Sequence, residues 1–417
     1  MKLIYTANAR IPSEKAHPYQ IVQMCEAFAD AGVAVTLLYA SRRNLPELCT
    51  DDVWGFYGVK RNFVAERLWV LDLHPLARHL GPLARVWDGL SALLVMLTYN
   101  LSLLLRLPRE RKAVIYSRDP LSLVLIAALW PRWAGRLFLE VHTYPATNIG
   151  IWLRRWLVGR IAGWVVITNH LRQRYEALGI PADRLLVAPD GIRRARFEVK
   201  GDRTDWRAKI GWPVDAFIVG YMGRFHTLGM DKGLSDLVEA VILLAGDQSA
   251  HPVRLGLVGG PAEAVEGLRA RFRTAGLPDE MVLYAGQVPA TAVPNYLRAF
   301  DVCAMPFPWT EHFAYYASPM KLFEYMASGV PIVATDLPST AEIIRNGENG
   351  LLTPPSDPIG LAGALRRLRH DPELARRLAD QAARDVGNYT WDARARRILG
   401  LIERASDPSC QDGASGV

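Results

Sequence analysis

Residues 302–334, VCAMPFPWTEHFAYYASPMKLFEYMASGVPIVA, predict a strand, a helix and a second strand in succession. The apolar runs at 302–306 and 331–334 do not alternate with polar residues, which is typical of buried parallel strands. Ser318 is a favourable N-cap residue and Pro319 suits a first helical turn, so we expect a helix to begin there. A strand–helix–strand unit of this kind is the building block of a doubly wound sheet.

The same alternation continues over most of the chain. It predicts strands at 3–6, 34–39, 113–116, 137–141, 164–167 and 185–188 in the first half, and at 217–221, 254–258 and 282–285 in the second. Two such series predict two Rossmann-like α/β domains, at residues 1–197 and 198–388. We expect a polar junction at 197–213 and a flexible tail at 406–417.

Composition excludes several classes of protein. The chain has 417 residues, of which 50% are apolar and 22% charged, so it is neither disordered nor fibrous. Its four cysteines have no spacing typical of zinc sites or a disulfide framework, which favours a reducing, cytoplasmic compartment. The N-terminal apolar run is too short for a signal peptide.

Charge is unevenly distributed along the chain. Residues 1–200 carry 27 Lys and Arg against 16 Asp and Glu, a balance of +11, whereas residues 201–417 carry 22 against 26, a balance of −4. A basic half could bind nucleic acid, anionic lipid or a phosphorylated substrate. The sequence has no zinc-finger, RRM-like or RGG pattern, so we expect no nucleic-acid partner.

The candidate ligand-binding residues of the second half follow predicted strands. The helix at Ser318 and Pro319 presents free N–H groups to a phosphate, and Lys321 with Glu324 could hold a diphosphate and a ribose. A capped core helix with a surface Lys–Glu pair is the alternative.

Two glycine-rich strand exits lie elsewhere in the second half. The first, GRFHTLGMDKG at 223–233, contains Arg224 and Lys232, which could stabilise a diphosphate leaving group. The second contains Gly259 and Gly260, which permit a close backbone approach to a ligand. A solvated loop and an ordinary turn are the alternatives.

The candidates of the first half are fewer. Glu140 and His142 alternate at the end of a predicted strand, where His142 could contact a sugar or transfer a proton; a structural histidine is the alternative. The first loop carries Glu14, Lys15 and His17 but no G-x-G-x-x-G fingerprint. The chain has no D-x-D pair, so we expect neither a metal ion nor another cofactor.

These stretches, with VVITNHLRQRYEALGIPADRLLVAPDGI at 164–191, NGLLTPP at 349–355 and YTWDARARRIL at 389–399, resemble the GT-B glycosyltransferases of the large retaining family 4, which includes many bacterial group 1 transferases. The resemblance covers nearly the whole chain. It implies two domains that face each other across a cleft, the first for an acceptor and the second for a nucleotide sugar, with a helix at 389–405 that crosses back to the first domain.

The resemblance also implies roles for single residues. Arg224 and Lys232 would hold the donor diphosphate, Glu324 the ribose, and His142 the transferred sugar. The family often has a Glu-x7-Glu pair, but Tyr316 stands eight residues before Glu324. This departure leaves the donor sugar open and is shared by sequences of the SPxKxFEYMA type. The loop from Arg224 to Lys232 is also longer than usual, which makes Lys232 the less certain ligand.

Two further stretches bear on membrane contact. Residues 89–105 are uncharged and apolar, but a transmembrane span there would divide the first sheet, so we expect a buried or interfacial helix. In residues 151–163, IWLRRWLVGRIAG, arginine and tryptophan alternate with aliphatic residues, a pattern typical of a helix on an anionic bilayer. An ordinary domain helix is the alternative.

The sequence therefore predicts a retaining, hexosyltransferase-type enzyme that moves a sugar from a UDP- or GDP-sugar to a lipid-linked or cell-surface glycan acceptor. We expect front-face attack, with the departing diphosphate accepting the proton. The predicted location is cytoplasmic, with peripheral attachment to the inner membrane of a bacterium. A nucleotide-sugar epimerase and a catalytically silent GT-B partner subunit are the alternatives.

Overall fold

The computed structural model describes residues 1–13, 15–44, 48, 52–74, 84–110, 112–199, 201–227, 229–247 and 251–406. They form two compact units. The first comprises Met1–Ile167, Leu171–Ala188 and the segment that begins at Trp391, and the second comprises Thr168–His170 and Pro189–Thr390.

Strands and helices alternate along the described residues, as the sequence predicts. The strands are β1 (Lys2–Ala7), β2 (Ala34–Ala40), β3 (Val64–Leu68), β4 (Val114–Ser117), β5 (Leu137–Val141), β6 (Gly163–Val166), β7 (Leu185–Val187), β8 (Phe217–Arg224), β9 (His226–Thr227), β10 (Met230–Asp231), β11 (Val253–Gly260), β12 (Val282–Tyr284), β13 (Val302–Met305), β14 (Ile332–Thr335) and β15 (Leu351–Thr353). The helices are α1 (Ala16–Asp30), α2 (Val53–Tyr57), α3 (Ala84–Arg106), α4 (Pro120–Leu129), α5 (Asn148–Leu157), α6 (Asn169–Glu176), α7 (Arg203–Ile210), α8 (Leu234–Ala245), α9 (Glu263–Thr274), α10 (Val293–Ala299), α11 (Glu311–Tyr315), α12 (Met320–Ser328), α13 (Pro338–Ala341), α14 (Pro358–His370), α15 (Pro372–Asp385) and α16 (Trp391–Ser406).

The first unit contains a seven-stranded parallel sheet in the order β3-β2-β1-β4-β5-β6-β7. Every residue of β4 and β5 is buried, as expected for strands covered by helices on both faces. Edge strand β3 was not predicted, because its sequence VAERL is mostly solvent-accessible and lacks an apolar run.

The second unit contains a six-stranded parallel sheet in the order β12-β11-β8-β13-β14-β15. Phe300 packs against β8 so closely that a Cβ on Gly220 would lie 2.0 Å from its ring. Strand β15 and the antiparallel β9–β10 hairpin were not predicted, because both are too short to give a periodic pattern.

Helix α16 belongs to the first unit although the second precedes it in the chain. It packs against α1, and its Arg394 donates a hydrogen bond to the carbonyl oxygen of Ala188 over 3.1 Å. The helix predicted at 389–405 is therefore present, shifted by two residues at its start. Residues 407–417 of the predicted tail lie outside the described residues.

The compact units divide after Ala188, whereas the sequence predicts a boundary after residue 197. The difference arises because the intervening segment is bonded into the second unit: Ile192 N donates to the Tyr389 carbonyl over 2.9 Å, and Asp190 N donates to Ser318 Oγ over 2.9 Å. The predicted junction at 197–213 is also partly helical, since it contains α7 with an Asp202 capping box.

By length and composition, one helix among the described residues could cross a membrane: the segment Ala84–Glu110, which contains α3. Only 33% of its most apolar window is buried, so it is not a typical core helix. Its inner face is nevertheless part of the first unit, because Val95, Tyr99 and Leu103 are fully buried. The expectation of a buried or interfacial helix, and not a transmembrane span, stays a prediction.

Candidate active site

Strands β8 and β11 of the second unit end beside each other, and glycines at both ends leave the backbone there without side chains over it. Gly259 pairs with Gly223 in the parallel register, and both glycines have positive φ angles, 123° and 126°. A Cβ atom on Gly259 would lie 2.2 Å from the Gly223 carbonyl oxygen, so only glycine fits. The carboxyl edge of this sheet, where doubly wound folds place their ligands, therefore exposes backbone.

The β9–β10 hairpin explains the unusual length of the loop after Arg224. The extra residues fold back on themselves, so that Lys232 N donates to the Phe225 carbonyl oxygen over 3.1 Å. Gly233 follows with φ 78°, and a Cβ there would lie 1.6 Å from the Pro306 carbonyl oxygen. The longer loop therefore returns Lys232 to the end of β8.

Three basic side chains surround this edge. Arg224 is exposed, Lys232 is half-buried, and Lys321 extends from the first turn of α12 toward Gly223. None of the three forms an ion pair with another described residue. Burial and the neighbouring charge of Arg224 lower the pKa of Lys232 to about 8.

Lys321 is the least compensated of the three. Its Nζ atom is buried and has no hydrogen-bond partner among the described residues. It lies 3.8 Å from the centroid of the Tyr221 ring and 5.1 Å from that of Phe307, and these aromatic faces provide its main stabilising contacts. Burial, together with the charge of Lys232, holds the pKa of Lys321 well below its ordinary value.

Glu324 lies one turn along α12 from Lys321 and is half-buried. Burial raises its pKa, against the opposing charges of Lys321 and Arg196. Helix α12 is fixed to the sheet, because Met222 N donates to the Tyr325 hydroxyl over 2.8 Å. The predicted arrangement of a lysine and a carboxylate on one helical face is therefore present beside the strand end.

The predicted capping role of Ser318 is wrong. Helix α12 begins at Met320 with Pro319 as its N-cap residue, and no side chain caps it. Ser318 Oγ instead accepts a hydrogen bond from Asp190 N. The hydroxyl is used to fix the loop before the helix, which leaves the first N–H groups of α12 without a side-chain cap.

Tyr316 and two residues of α11 lie on the loop between β13 and α12. The Tyr316 hydroxyl donates to Glu311 Oε1 over 2.9 Å, so a carboxylate lies next to the position where the family often has one. Burial and the charge of Lys232 lower the pKa of His312. Sequence reasoning missed Glu311 and His312, because neither belongs to a recognisable motif.

In the first unit, Glu140 is almost fully buried at the end of β5 and is surrounded by basic groups. Its Oε1 atom lies 2.6 Å from His142 Nε2, 3.0 Å from Arg394 Nη2 and 3.6 Å from Arg118 Nε. The Tyr116 hydroxyl donates to the other carboxylate oxygen. Burial alone would raise the pKa of Glu140, but Arg394 and Arg118 outweigh it and hold the pKa well below its ordinary value.

This network positions His142. The Glu140 carboxylate holds Nε2 of the imidazole and thereby fixes the orientation of the ring. Sequence reasoning identified His142 and Glu140 but missed Arg118 and Arg394. The stretch that contains Arg394 was noticed only for its resemblance to a family motif.

Two of the three candidate residues predicted in the first loop lie among the described residues. Lys15 is the exposed N-cap residue of α1, and His17 is exposed in the first turn of that helix. Glu14 lies outside the described residues. No group of three or more His, Cys, Asp or Glu side chains within the described part of the chain could hold a metal ion. The expectation that no metal is required stays a prediction.

Two family models match the chain. The model described as "Glycosyl transferases group 1" matches residues 216–371, and a "Glycosyl transferase 4-like domain" matches residues 19–191. Among curated proteins, the chain is similar to the D-inositol 3-phosphate glycosyltransferases of Acidothermus cellulolyticus (32% identical over 58% of this chain and 53% of that protein) and Thermomonospora curvata (30% identical over 57% and 55%). The chain spans about half the length of these relatives.

Solved structures share the fold over the whole chain. Sucrose-phosphate synthase from Thermosynechococcus elongatus is 19% identical, with a TM-score of 0.70 over 97% of this chain and 98% of that one. An Anabaena protein, HepE, solved in complex with UDP, is 17% identical, with a TM-score of 0.69 over 97% and 100%. At these identities the likeness shows the fold alone, and it confirms the predicted GT-B class. The chain belongs to the group 1, family 4-type glycosyltransferases.

Proposed function

We propose that this protein transfers a sugar from a UDP- or GDP-sugar to a hydroxyl group of a lipid-linked or cell-surface glycan, with retention of anomeric configuration. The observation that carries the proposal is the set of three basic side chains, Arg224, Lys232 and Lys321, that lie at the glycine-lined end of β8 and form no ion pair with another described residue. A buried ammonium group without a hydrogen-bond partner, such as that of Lys321, is costly in free energy even with Glu324 one turn away. A diphosphate bound there would supply the missing negative charge.

The chemistry of the proposed site follows from this charge. When the bond between the sugar and the diphosphate breaks, negative charge develops on the leaving phosphate oxygen, and cations held in place lower the barrier. Arg224 would form bidentate hydrogen bonds with the phosphate oxygens, whereas Lys232 and Lys321 would each provide a localised positive charge. The uncapped first turn of α12 offers N–H groups to the same anion.

Glu324 would bind the ribose of the nucleotide, because a carboxylate can accept hydrogen bonds from two neighbouring hydroxyls. Gly259 and Gly260 would admit the nucleotide close to the backbone. In the proposed mechanism the acceptor hydroxyl attacks from the leaving-group side, and a departing phosphate oxygen accepts its proton. No carboxylate is assigned as a covalent nucleophile.

The first unit would bind the acceptor and the transferred sugar. His142, held by Glu140, would donate or accept a hydrogen bond at a sugar hydroxyl. Lys15 and His17 are proposed to contact the acceptor or the donor sugar from the first unit, and Tyr316 from the second. Their side chains suit hydroxyl-rich ligands, because they combine hydrogen bonding with, in Tyr316, an aromatic face.

We also propose a cytoplasmic location with attachment to the inner membrane, to which α5 contributes. The predicted stretch 151–163 is not one helix: α5 ends at Leu157, and Gly163 begins β6. Trp152 and Arg155 are exposed and remain available to an anionic bilayer. Arg154 turns inward and donates to the Tyr175 hydroxyl over 2.8 Å, so it contributes little to such a surface.

The proposal is tested with the full chain and a panel of UDP, GDP and ADP and their hexoses. Thermal unfolding identifies the nucleotide, since a bound ligand raises the unfolding temperature. Donor hydrolysis and transfer are then measured with isoprenoid-linked glycans and with D-inositol 3-phosphate, which the names of the curated relatives suggest. The NMR coupling of the anomeric proton in the product distinguishes retention from inversion.

Each outcome decides between the proposal and its alternatives. Transfer with retention supports it, and inversion contradicts the proposed mechanism. A solvent-derived proton in the donor sugar without transfer would identify an epimerase. Absence of nucleotide binding, of hydrolysis and of transfer would identify a silent partner subunit.

A further inference from the structure

The outer face of α3 is a continuous apolar stripe. Six aliphatic side chains at helical spacing have exposed fractions between 46% and 72%: Val86, Leu90, Leu93, Leu97, Leu101 and Leu105. The stripe spans about 28 Å at the usual 1.5 Å rise per residue. Soluble proteins seldom expose one helical face of this length without covering it.

The inner face of the same helix carries its hydrogen-bonding groups. Asn100 Oδ1 accepts from Ser122 Oγ of α4 over 2.8 Å, and Ser91 Oγ accepts from Leu73 N over 3.0 Å. The hydroxyl of Tyr99 donates to the Leu38 carbonyl over 3.3 Å. These bonds hold α3 on the sheet, so its leucines cannot rotate inward. A helix that is bonded to the sheet on one side and leaves six aliphatic side chains exposed on the other is suited to a non-aqueous neighbour.

The edges of the stripe suit the boundary of a bilayer. Trp69 is 63% exposed, and it lies beside α3 because Ser102 Oγ donates to its carbonyl oxygen over 2.7 Å. Tryptophan prefers the headgroup region, where one side of the ring is apolar and the other wet. No residue from 89 to 105 is charged, while Arg85 and Arg109 are exposed near the two ends.

Two neighbouring helices also expose large apolar side chains. Helix α4 packs against α5 and is joined to α3 by the Ser122–Asn100 hydrogen bond. Leu129 of α4 and Trp152 of α5 are exposed by 58% and 57%. The first unit, residues 1–167, 171–188 and 391–417, carries 27 Lys and Arg against 18 Asp and Glu, a balance of +9, so two copies of it placed face to face would bring like charges together. Charge complementarity therefore favours anionic lipid over a second copy.

We propose that α3 lies in the plane of an anionic bilayer and inserts its six-residue stripe among the acyl chains. This inference goes beyond the contact proposed for α5, because it assigns attachment to apolar insertion by another helix. It does not depend on glycosyl transfer. Apolar insertion predicts binding that persists in high salt, whereas contact through arginines alone is screened.

The test uses the full chain and vesicles of phosphatidylcholine with phosphatidylglycerol. The double variant Leu97→Asp/Leu101→Asp should bind these vesicles at least roughly tenfold more weakly, because two exposed leucines become charged. The matched control is Leu243→Asp/Ile359→Asp, which changes two exposed apolar residues of the second unit. The control should bind like the unsubstituted protein, and circular dichroism should show that both variants are folded.

A second measurement reports depth. A fluorophore placed at Leu97→Cys, with Cys49 and Cys410 replaced by serine, should be quenched by lipids labelled on their acyl chains, and at Ile359→Cys it should not. Equal vesicle binding by both double variants, complete release of the unsubstituted protein at about 1 M salt, or lack of quenching at position 97 would each overturn the proposal. A lipid-free dimer that Leu97→Asp/Leu101→Asp dissociates, with no vesicle binding, would assign the stripe to a second copy. Donor hydrolysis is measured separately, so failure of the proposed function is distinguishable.

Discussion

The two units treat buried charge in opposite ways. In the first unit, Glu140 is almost fully buried, but Arg394, Arg118, His142 and Tyr116 all contact its carboxylate. In the second unit, Lys321 is buried against aromatic rings with no hydrogen-bond partner among the described residues. A buried charge that is hydrogen-bonded by several partners is stable in the folded protein without a ligand. A buried ammonium group without a hydrogen-bond partner destabilises the folded protein until an anion binds to it. The difference supports the proposal that the second unit binds an anionic substrate.

The largest expected effect comes from breaking the compensated network. Arg394→Met leaves Glu140 without its closest arginine, so the free energy of unfolding should fall by roughly 3–5 kcal/mol, as for other broken buried pairs. Urea denaturation measures the change. Arg396→Met, at an exposed position on the same helix, should change it by less than about 0.5 kcal/mol. Similar losses in both variants would mean that helix packing, rather than the Glu140 pair, is responsible.

The pH dependence of this stabilisation has a definite sign. The pKa of Glu140 is lower in the folded protein than in the unfolded chain, so its contribution is present above about pH 4.3, the ordinary glutamate value. It is lost as the pH falls below that value toward the folded-state pKa. Glu140→Gln should flatten the acid side of the stability profile.

The next effect concerns catalysis. Arg224→Ala should lower kcat by roughly 10²–10³-fold, because one preorganised donor to the leaving phosphate is removed. The unfolding temperature should hardly change, since Arg224 is exposed. Arg376→Ala, at a position 73% exposed in the same unit, is the matched control and should retain full activity. A normal kcat in Arg224→Ala would remove this residue from the site.

A smaller effect is expected at Glu324. Glu324→Gln should weaken nucleotide affinity by about 1–3 kcal/mol, because hydrogen bonds from two ribose hydroxyls to a charged carboxylate are lost. Calorimetric titration with the preferred nucleoside diphosphate measures this, and the corresponding 2′,3′-dideoxynucleotide, which lacks both hydroxyls, should bind both proteins alike. If the dideoxynucleotide loses as much affinity as the ribonucleotide, Glu324 has a structural role instead.

Replacing Lys321 should not lower the free energy of unfolding, in contrast to replacing Arg394. Lys321→Met keeps the apolar stem beside Tyr221 but removes the buried charge, so the ligand-free protein should be at least as stable as before. Nucleotide affinity should fall at the same time. A large loss of stability in this variant would show that Lys321 is a structural cation, and the contrast between the two units would disappear.

Most of the fold could be predicted from the sequence, but only part of the site. Runs such as 302–305 are continuously apolar, so their buried parallel strands are evident from composition alone. Strand β3 is polar at the edge of a sheet, and its pairing depends on neighbours that are distant in sequence. Arg394 meets Glu140 through tertiary packing of α16, which a local pattern does not record. The outward stripe of α3 was likewise hidden, because periodicity does not tell which face of a helix meets the sheet.

The smallest expected effect is a pH dependence of stability and of nucleotide affinity that arises from Lys232. Burial and Arg224 lower the pKa of Lys232 to about 8, below its ordinary value of about 10.4 in an unfolded chain. Between these two values the unfolded chain binds more protons, so the stability of the ligand-free protein should rise with pH. A diphosphate favours the protonated lysine, so nucleotide affinity should fall over the same range, by at most about tenfold per pH unit for one proton.

Calorimetry in two buffers of different ionisation enthalpy measures the proton taken up on binding. Lys232→Arg should keep the affinity near neutral pH and abolish its decline above pH 8, because arginine stays protonated. An unchanged decline in Lys232→Arg would assign the titration to Lys321, whose pKa is also lowered in the folded protein.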